Sequence, residues 1–366
     1  MINKLVIENL KHRWVRTFLC ALVVGVQVMS ILTLIGLSRG MLEDSAQRAR
    51  GTGADIFLKP GGQSFSLSTG QVNEKFVEFV TKQPHVKQAV GVLMAQVELV
   101  TTLNGVNVEE FSKLNGGFRF QEGGPPKAPD DLIVDAYYAQ QHRLHVGQSV
   151  KLLNHNWRLA GIMQGGVLAR LVVDLRRLQE LTGNANPPRV SEILVKLDDP
   201  ARTNEEVTIL NDVLKGNLTA ISMHDFVSQF TINNIPQLRT FIAIITALAV
   251  VVGFLVVFLS MYTAVVERTR EIGILKALGA KPVTIIDILV REAVFLALVG
   301  CAIGIVLAFA ARTVMITTMP ASLQVASVPD WWPRAALIAI TGALLGAIYP
   351  GYKAARQDAI EALAYE

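Results

Sequence analysis

The sequence predicts a membrane α-helical protein with four transmembrane helices and a large α+β domain between the first and the second. Three observations lead there. First, 51% of the 366 residues are apolar and only 17% are charged, with a mean hydropathy of +0.40, outside the balance of soluble domains and incompatible with a disordered chain. Second, the charge is unevenly placed, since long uncharged stretches flank a central segment of ordinary polar composition. Third, four of those stretches reach or approach the roughly 20 apolar residues needed to cross a hydrocarbon core of about 30 Å. They are Phe18 to Leu37 (TM1), Phe241 to Val266 (TM2), Ala293 to Ala311 (TM3) and Ala335 to Tyr352 (TM4), and none contains Asp, Glu, Lys or Arg.

Lys and Arg set the direction of the spans. Lys4, Lys11, Arg13 and Arg16 precede TM1, Arg268, Arg270, Lys276 and Lys281 lie between TM2 and TM3, and Lys353 and Arg356 follow TM4, whereas Ile316 to Trp331 has neither residue type. Counted over short loops, this bias predicts that both termini and the TM2–TM3 loop face the cytoplasm and that the segment from Arg39 to about Leu238 lies outside. The net charge of +4 and the pI of about 9.0 then follow from topology, which removes the argument for a nucleic-acid partner. TM1 follows a basic segment as a signal peptide would. Its apolar run is longer than a typical signal-peptide core and no convincing small-x-small cleavage site follows before Arg39, so an uncleaved anchor is expected. Trp331 and Trp332 fall where TM4 should meet the outer interface. Cys20 and Cys301 sit inside apolar stretches, which leaves a disulfide framework nothing to build on and makes them packing residues.

The outer segment alternates between strand and helix signals. Ala54 to Lys59 reads as a strand ended by Pro60-Gly61-Gly62, Gln71 to Lys82 as an amphipathic helix, and Val86 to Leu103 as one or two strands. A second β-α-β unit runs through a Glu192 to Leu197 strand, a Thr203 to Lys215 helix and a strand from Leu218 to Ser222. Between them Asn104-Gly105 gives a hairpin signal, and Gly116-Gly117, Gly123-Gly124-Pro125-Pro126 and Pro187-Pro188 punctuate a β-rich insert. The expectation is a split α/β layer carrying an inserted β-rich subdomain. Phe226, Phe230 and Leu238 recur near helical spacing up to TM2, interrupted by Pro236, and predict a kinked helical stalk. A plain linker helix explains that spacing nearly as well.

At the end of TM2 stands Glu267-Arg-Thr-Arg-Glu-Ile-Gly-Ile-Leu-Lys-Ala-Leu-Gly-Ala280. Ile272, Leu275 and Leu278 recur at roughly one-face spacing, Gly279 stops the helix and Pro282 suits the first turn of the next. A short apolar-striped helix bracketed by charge either lies on lipid or docks into a partner's groove, and composition leaves the two even.

This string resembles, with high specificity, the FtsX-like permease family of ABC transporters, of the macrolide-exporter (MacB) and lipoprotein-releasing (LolC/LolE) kind. The tail from Pro350 to Glu366 is similar to the family's closing motif, with Ala359 where the family commonly has proline, and Gly53-Ala-Asp-Ile-Phe-Leu-Lys-Pro60 resembles its first external strand. The resemblance implies a multi-pass protein of the bacterial inner membrane. Residues 1–38 would be the cytoplasmic N-terminal segment and TM1, and 39–238 a MacB-like periplasmic domain with a porter-like layer, an inserted subdomain and a stalk. Residues 239–352 would hold TM2, a coupling helix, TM3 and TM4, and 353–366 a cytoplasmic tail. The resemblance assigns Glu267, Arg268, Arg270, Glu271, Ile272, Gly273, Leu275, Lys276, Leu278 and Gly279 to the coupling helix, which contacts a cytoplasmic ABC ATPase subunit. It also implies a dimer with a second permease copy or paralogue, and it allows a periplasmic adaptor and an outer-membrane channel as further partners. ATP-driven closure of the nucleotide subunits would then move the periplasmic domains by mechanotransmission and drive export or extraction of a substrate. No G-x-x-x-x-G-K-[ST] phosphate loop occurs in the sequence, so the chain is expected to be a non-catalytic subunit, with ATP and Mg bound by its partner in trans. The rival reading is FtsX-like signalling, in which the external domain regulates a cell-wall hydrolase.

Gly300 and Gly304 in TM3 and Gly342 and Gly346 in TM4 form G-x-x-x-G pairs, which let helices approach closely and predict packing of TM3 on TM4. Asp287 and Arg291 are spaced as an i,i+4 pair, and Glu292, an ionisable residue at membrane depth, is a candidate for a role in coupling. Gly36-Leu-Ser38-Arg-Gly40 matches the G-x-S-x-G nucleophile pattern, but at a membrane helix end and not on a strand-to-helix elbow, so a hydrolase reading is rejected. His142 and His145 lack the further ligands that a metal needs. No catalytic, cofactor or metal residues are therefore expected.

Overall fold

The computed structural model describes residues 14–61, 70–98 and 101–356. Lys4, Lys11, Arg13, Gly62 and the closing motif beyond Arg356, with Ala359, lie outside them. The chain divides into two units. A helical unit holds the chain up to Arg39, Pro236–Met315 and the chain from Val325, and an α/β unit holds Gly40–Ile235 with Ile316–Gln324. Helix α1 (Trp14–Gly51) is continuous through TM1 and past its expected end at Leu37, so that it contributes residues to both units.

In the α/β unit the chain runs β1 (Ile56–Pro60), β2 (Val72–Asn73), α2 (Lys75–Thr81), β3 (Val86–Gln96), β4 (Thr102–Val106), α3 (Val108–Asn115) and β5 (Phe120–Gly123). It continues as β6 (Asp131–Asp135), α4 (Ala136–His142), β7 (Ser149–Leu152), β8 (His155–Met163), β9 (Leu171–Asp174) and α5 (Leu175–Leu181). The last elements are β10 (Arg189–Val190), β11 (Glu192–Leu197), α6 (Thr203–Leu214), β12 (Leu218–Ser222) and α7 (Met223–Ser228). Ten strands form one sheet in the order β12-β1-β11-β3-β4-β9-β6-β8-β5, with β7 also on β8. The insert's strands continue that sheet, because β9 pairs in parallel with β4, Leu103 opposite Leu171.

Both faces of the sheet are covered, which is why its central strands are almost wholly apolar and do not alternate. Leu132 and Val134 of β6 face the cluster that also takes Val80 of α2, Leu178 of α5 and Leu210 of α6. Ile133 between them faces the other cluster, with Phe111 of α3 and Met223 of α7. Short polar side chains start the covering helices: Asn107 accepts from the amides of Glu109 and Glu110, Asp174 from Arg177 and Ser222 from Asp225.

Two expectations are corrected here. Asn104 and Gly105 are not a turn but lie inside β4, where they pair antiparallel with Met94 and Leu93 of β3. The glycine answers to packing: a Cβ at Gly105 would stand 2.9 Å from Leu178 Cδ2, so α5 seats directly on the bare backbone. The kinked stalk is also absent. After α7 the chain turns through a 3₁₀ segment, Ile232–Asn234, and a new helix begins at Pro236, where a proline closes off no hydrogen bond. Phe226 instead stacks on Phe57 of β1 with centroids 4.1 Å apart, and Phe230 meets Phe226 edge-on.

The helical unit comprises the first part of α1 with α8 (Pro236–Glu267), α9 (Thr269–Ala277), α10 (Pro282–Thr318) and α11 (Trp332–Arg356). Among the described residues, four helices are long and apolar enough to cross a membrane. The glycine pairs do bring helices together, but not TM3 with TM4. A Cβ at Gly300 would lie 2.7 Å from Val24 Cβ and one at Gly304 2.6 Å from Gly25 O, so α10 packs on α1. One at Gly346 would lie 3.0 Å from Phe254 O, so α11 packs on α8, with Gly342 in ordinary contact near Val250. A small-residue pair fixes how closely a helix can be approached and leaves the choice of neighbour to the rest of its face.

Glu192 at the start of β11 keeps part of its surface, yet burial pushes its carboxyl from the ordinary 4.5 up to about 7. Between those values the folded state holds a proton that the unfolded chain has lost, so this group's contribution to stability falls as pH rises through that window. Glu192→Gln should therefore match the wild-type Tm near pH 5 and exceed it by several degrees at pH 8, as read by melts of the detergent-solubilised full chain at both values.

Candidate functional site

The loop between α8 and α10 carries the residues singled out by sequence, and it is a corner with an inside and an outside. Helix α9 ends in a Schellman turn. Gly279 at φ +90° lets its own N–H donate to Lys276 O and the Ala280 N–H donate to Leu275 O, both at 2.9 Å. Pro282 then opens α10. Thr269 and Gly273 are buried, and Ile272 is 8% exposed in a cluster with Val265 of α8, Ile285 and Leu289 of α10 and Ala354 of α11. Lys276 Nζ donates to Ala355 O at 2.7 Å, Arg16 of α1 pairs with Glu267 at 2.7 Å, and Arg268 Nη1 lies 3.6 Å from Glu292 Oε2. Asp287 and Arg291 form the expected pair at 2.9 Å on α10. α9 is thereby tied to α8, α10 and α11, and the Arg16–Glu267 pair ties α1 to the end of α8 beside it.

That outward face is not the expected stripe. Ile272 points in, Leu275 is half-buried, and Leu278 alone of the three is free, at 80% exposure. Ile274, one turn before Leu278, and Val283 at the start of α10 are exposed as well, with Arg270 and Glu271 exposed on the same helix as Ile274. Spacing by three alone does not distinguish the side of a two-turn helix that anchors it from the side that it offers.

A second constellation escaped sequence reading altogether. In the α/β unit, Arg170 donates to Asp44 of α1 at 2.7 Å and to Asp135 at 2.8 Å, and Arg48 of α1 pairs with Asp44. All four groups are largely shielded from solvent, with the Asp135 side chain 2% exposed. Burial holds the Asp135 carboxyl above the usual range, partly offset by Arg170 and by the Tyr138 N–H that it caps. The Leu168 N–H donates to Arg48 O, Asn115 Nδ2 donates to Gly51 O, and Gly51 has no room for a side chain, since a Cβ would fall 2.0 Å from Gly166 O. The end of α1 is thus fixed to the loop before β9. Asp44 and Arg170 are 126 positions apart, and no local pattern announces such a pair.

Among the described residues, no group of three His, Cys, Asp or Glu side chains is placed to hold a metal. His142 stacks on Tyr138 at 4.2 Å, and Ser38 Oγ donates to Leu34 O within α1.

Residues 17–210 match the family described as MacB-like periplasmic core domain, and residues 243–359 match FtsX-like permease C-terminal. The chain belongs to the FtsX-like, MacB-like family of ABC permeases. Among its relatives are the macrolide export ATP-binding/permease protein MacB of Shewanella oneidensis, 26% identical over 97% of this chain and 59% of that protein, and MacB of Escherichia coli, 23% identical over 99% and 60%. This chain therefore spans about three fifths of the length of those relatives. Among solved structures, the periplasmic region of MacB from Actinobacillus actinomycetemcomitans matches with a TM-score of 0.38 and 15% identity, covering 51% of this chain and 96% of that one. The extracellular domain of YknZ from Gram-positive bacteria gives a TM-score of 0.35 and 15% identity, with 46% and 98% covered.

In this permease the two sides of α9 should respond differently to truncation. Ile272→Ala removes a buried side chain that cannot be replaced and should lower stability by about 2–5 kcal/mol. Leu278→Ala changes an exposed one and should stay within about 0.5 kcal/mol. Thermal melts of the two variants in the same detergent check the assignment.

Proposed function

We propose that this permease is the membrane subunit of an ATP-driven export or extraction system, moved by an ABC ATPase that lies outside these 366 residues. The observation that carries the reading is that Ile274, Leu278 and Val283 are 46%, 80% and 73% exposed on a corner whose other side is pinned. The Lys and Arg bias supports placing that corner in the cytoplasm and the α/β unit in the periplasm. An apolar helix face beside Arg270 and Glu271 suits the groove of a protein partner, the helix-in-groove mode of recognition. Because α9 is tied to α8, α10 and α11, a push on its outer face is passed to those spans and not absorbed by a loose loop. Helix α1, paired through Arg16 with Glu267 at this corner, runs on unbroken to Gly51. In this reading ATP and Mg are bound by the partner, a second copy or paralogue completes a dimer, and movement of the outer domain does the work. The relatives are named for macrolide export, which supports outward transport.

Leu278→Asp places an unpaired charge in the proposed contact. Co-expressed with its ABC ATPase, the variant should retain at least tenfold less ATPase on pull-down and no longer change the ATPase rate, while reaching the membrane at wild-type levels. If the helix only rests on lipid, both values stay at wild type, and that result refutes the docking assignment.

A further inference from the structure

A cavity of about 290 Å³ opens at the same corner, between α8, α9 and the start of α10. Its walls are apolar, with Val265, Leu275, Ile288 and Leu289 among them. Three ionisable side chains also line it: Arg268, Glu271 and Glu292. Glu292 is 2% exposed, and its Oε2 accepts no hydrogen bond among the described residues. Arg268 stands 3.6 Å away, near enough to share charge and too far to donate. A buried carboxylate oxygen without a donor is an expensive feature to retain, and it faces a space that something can enter.

The shape and chemistry of the space limit what that is. At this volume it falls just below the range of about 300–1,000 Å³ typical of small-molecule sites, and it suits a single long side chain. Arg268 and, from α1, Arg16 act on Glu292, yet neither donates to its Oε2, so the demand at this wall is for a donor. Ile274 lines the cavity and is also part of the exposed apolar face, so the mouth opens where the partner is proposed to dock. We propose that the cavity is a socket for one lysine or arginine side chain of the ATPase, its methylene stem lying against Val265, Leu275 and Leu289 and its cationic tip donating to Glu292 Oε2. Long basic side chains bury their stems in this way, and a charge-assisted hydrogen bond satisfies the orphan oxygen. The proposal rests on the docking reading and adds the residue that gives it specificity: the apolar face supplies adhesion, and Glu292 selects a basic knob at one position.

The test uses the full permease with its ABC ATPase in nanodiscs, and measures binding of Glu292→Gln, which removes the charge, and of Ile288→Trp, which fills the socket and keeps the carboxylate. Both should weaken ATPase binding at least tenfold while the permease alone melts within a few degrees of wild type. One Lys or Arg on the ATPase should give the same loss when changed to Ala, with no additional loss when combined with Glu292→Gln. Leu278→Asp serves as the control for docking itself. If Leu278→Asp abolishes binding while Ile288→Trp stays within twofold of wild type, the socket is wrong and docking stands. If Leu278→Asp also binds normally, the docking reading fails and the socket falls with it. Should Glu292→Gln misfold, Ile288→Trp decides. A lipid or small amine retained by the purified permease in native mass spectrometry, and lost from Ile288→Trp, would overturn the choice of occupant.

Discussion

Ile272 is held among Val265, Ile285, Leu289 and Ala354, and this contact orients α9. A helix of nine residues has too few turns to be stable by propensity alone and takes its orientation from whatever face it buries. With Ile272 inward and Lys276 bonded to the end of α11, Ile274 and Leu278 have no direction left but outward. The Schellman turn at Gly279 and the proline opening α10 then set the rest of the corner. The proposed contact surface and the socket beside it both depend on this choice of side.

The two units solve opposite solvent problems. Where hydrocarbon replaces water, every backbone group must be satisfied within its own segment, and the four long helices meet that demand while glycines bring their backbones together. In the α/β unit the reverse holds: helices on both faces of one sheet exclude water, and the cost falls on the charges enclosed. Arg170 with Asp44, Asp135 and Arg48 is such an enclosure. A buried ion cluster of this kind adds little stability compared with apolar packing, but removing one member leaves the others unpaired, so it holds α1 in one register. Gln141 makes a gentler version of the same clamp, accepting from the amides of Ala321 and Ser322 in the α10–α11 connection, at 3.0 and 3.2 Å.

Much of this was legible in the residues. Spans, the β1 strand, the 192–197 strand, the 203–215 helix and the Gly279 stop are local signals, written in a run of apolar side chains, a period of two or a glycine at a positive φ. Asn104-Gly105 misled because the same dipeptide that makes a two-residue turn also makes a strand with no side chain where Leu178 of α5 needs room. Pro236 misled because a proline inside a pattern and a proline opening a helix look alike until the preceding turns are known. The glycine pairs announced closeness without naming the neighbour, and the Ile272, Leu275 and Leu278 stripe announced an apolar helix without saying which side was spent on anchoring. The Arg170 cluster and the orphan oxygen of Glu292 had no local signature, since each depends on residues that only folding brings together.

The most direct test of the central claim is the reactivity of single cysteines at three positions in cells expressing the permease with its ABC ATPase. A cysteine at exposed Ala128 should react with a membrane-impermeant maleimide in intact cells. One at Leu278 should react only after permeabilisation, and more slowly when the ATPase is bound, while one at Ile272 should stay slow throughout. Fast labelling of the Leu278 cysteine in intact cells would reverse the topology, and equal rates at positions 272 and 278 would contradict the inward and outward faces of α9.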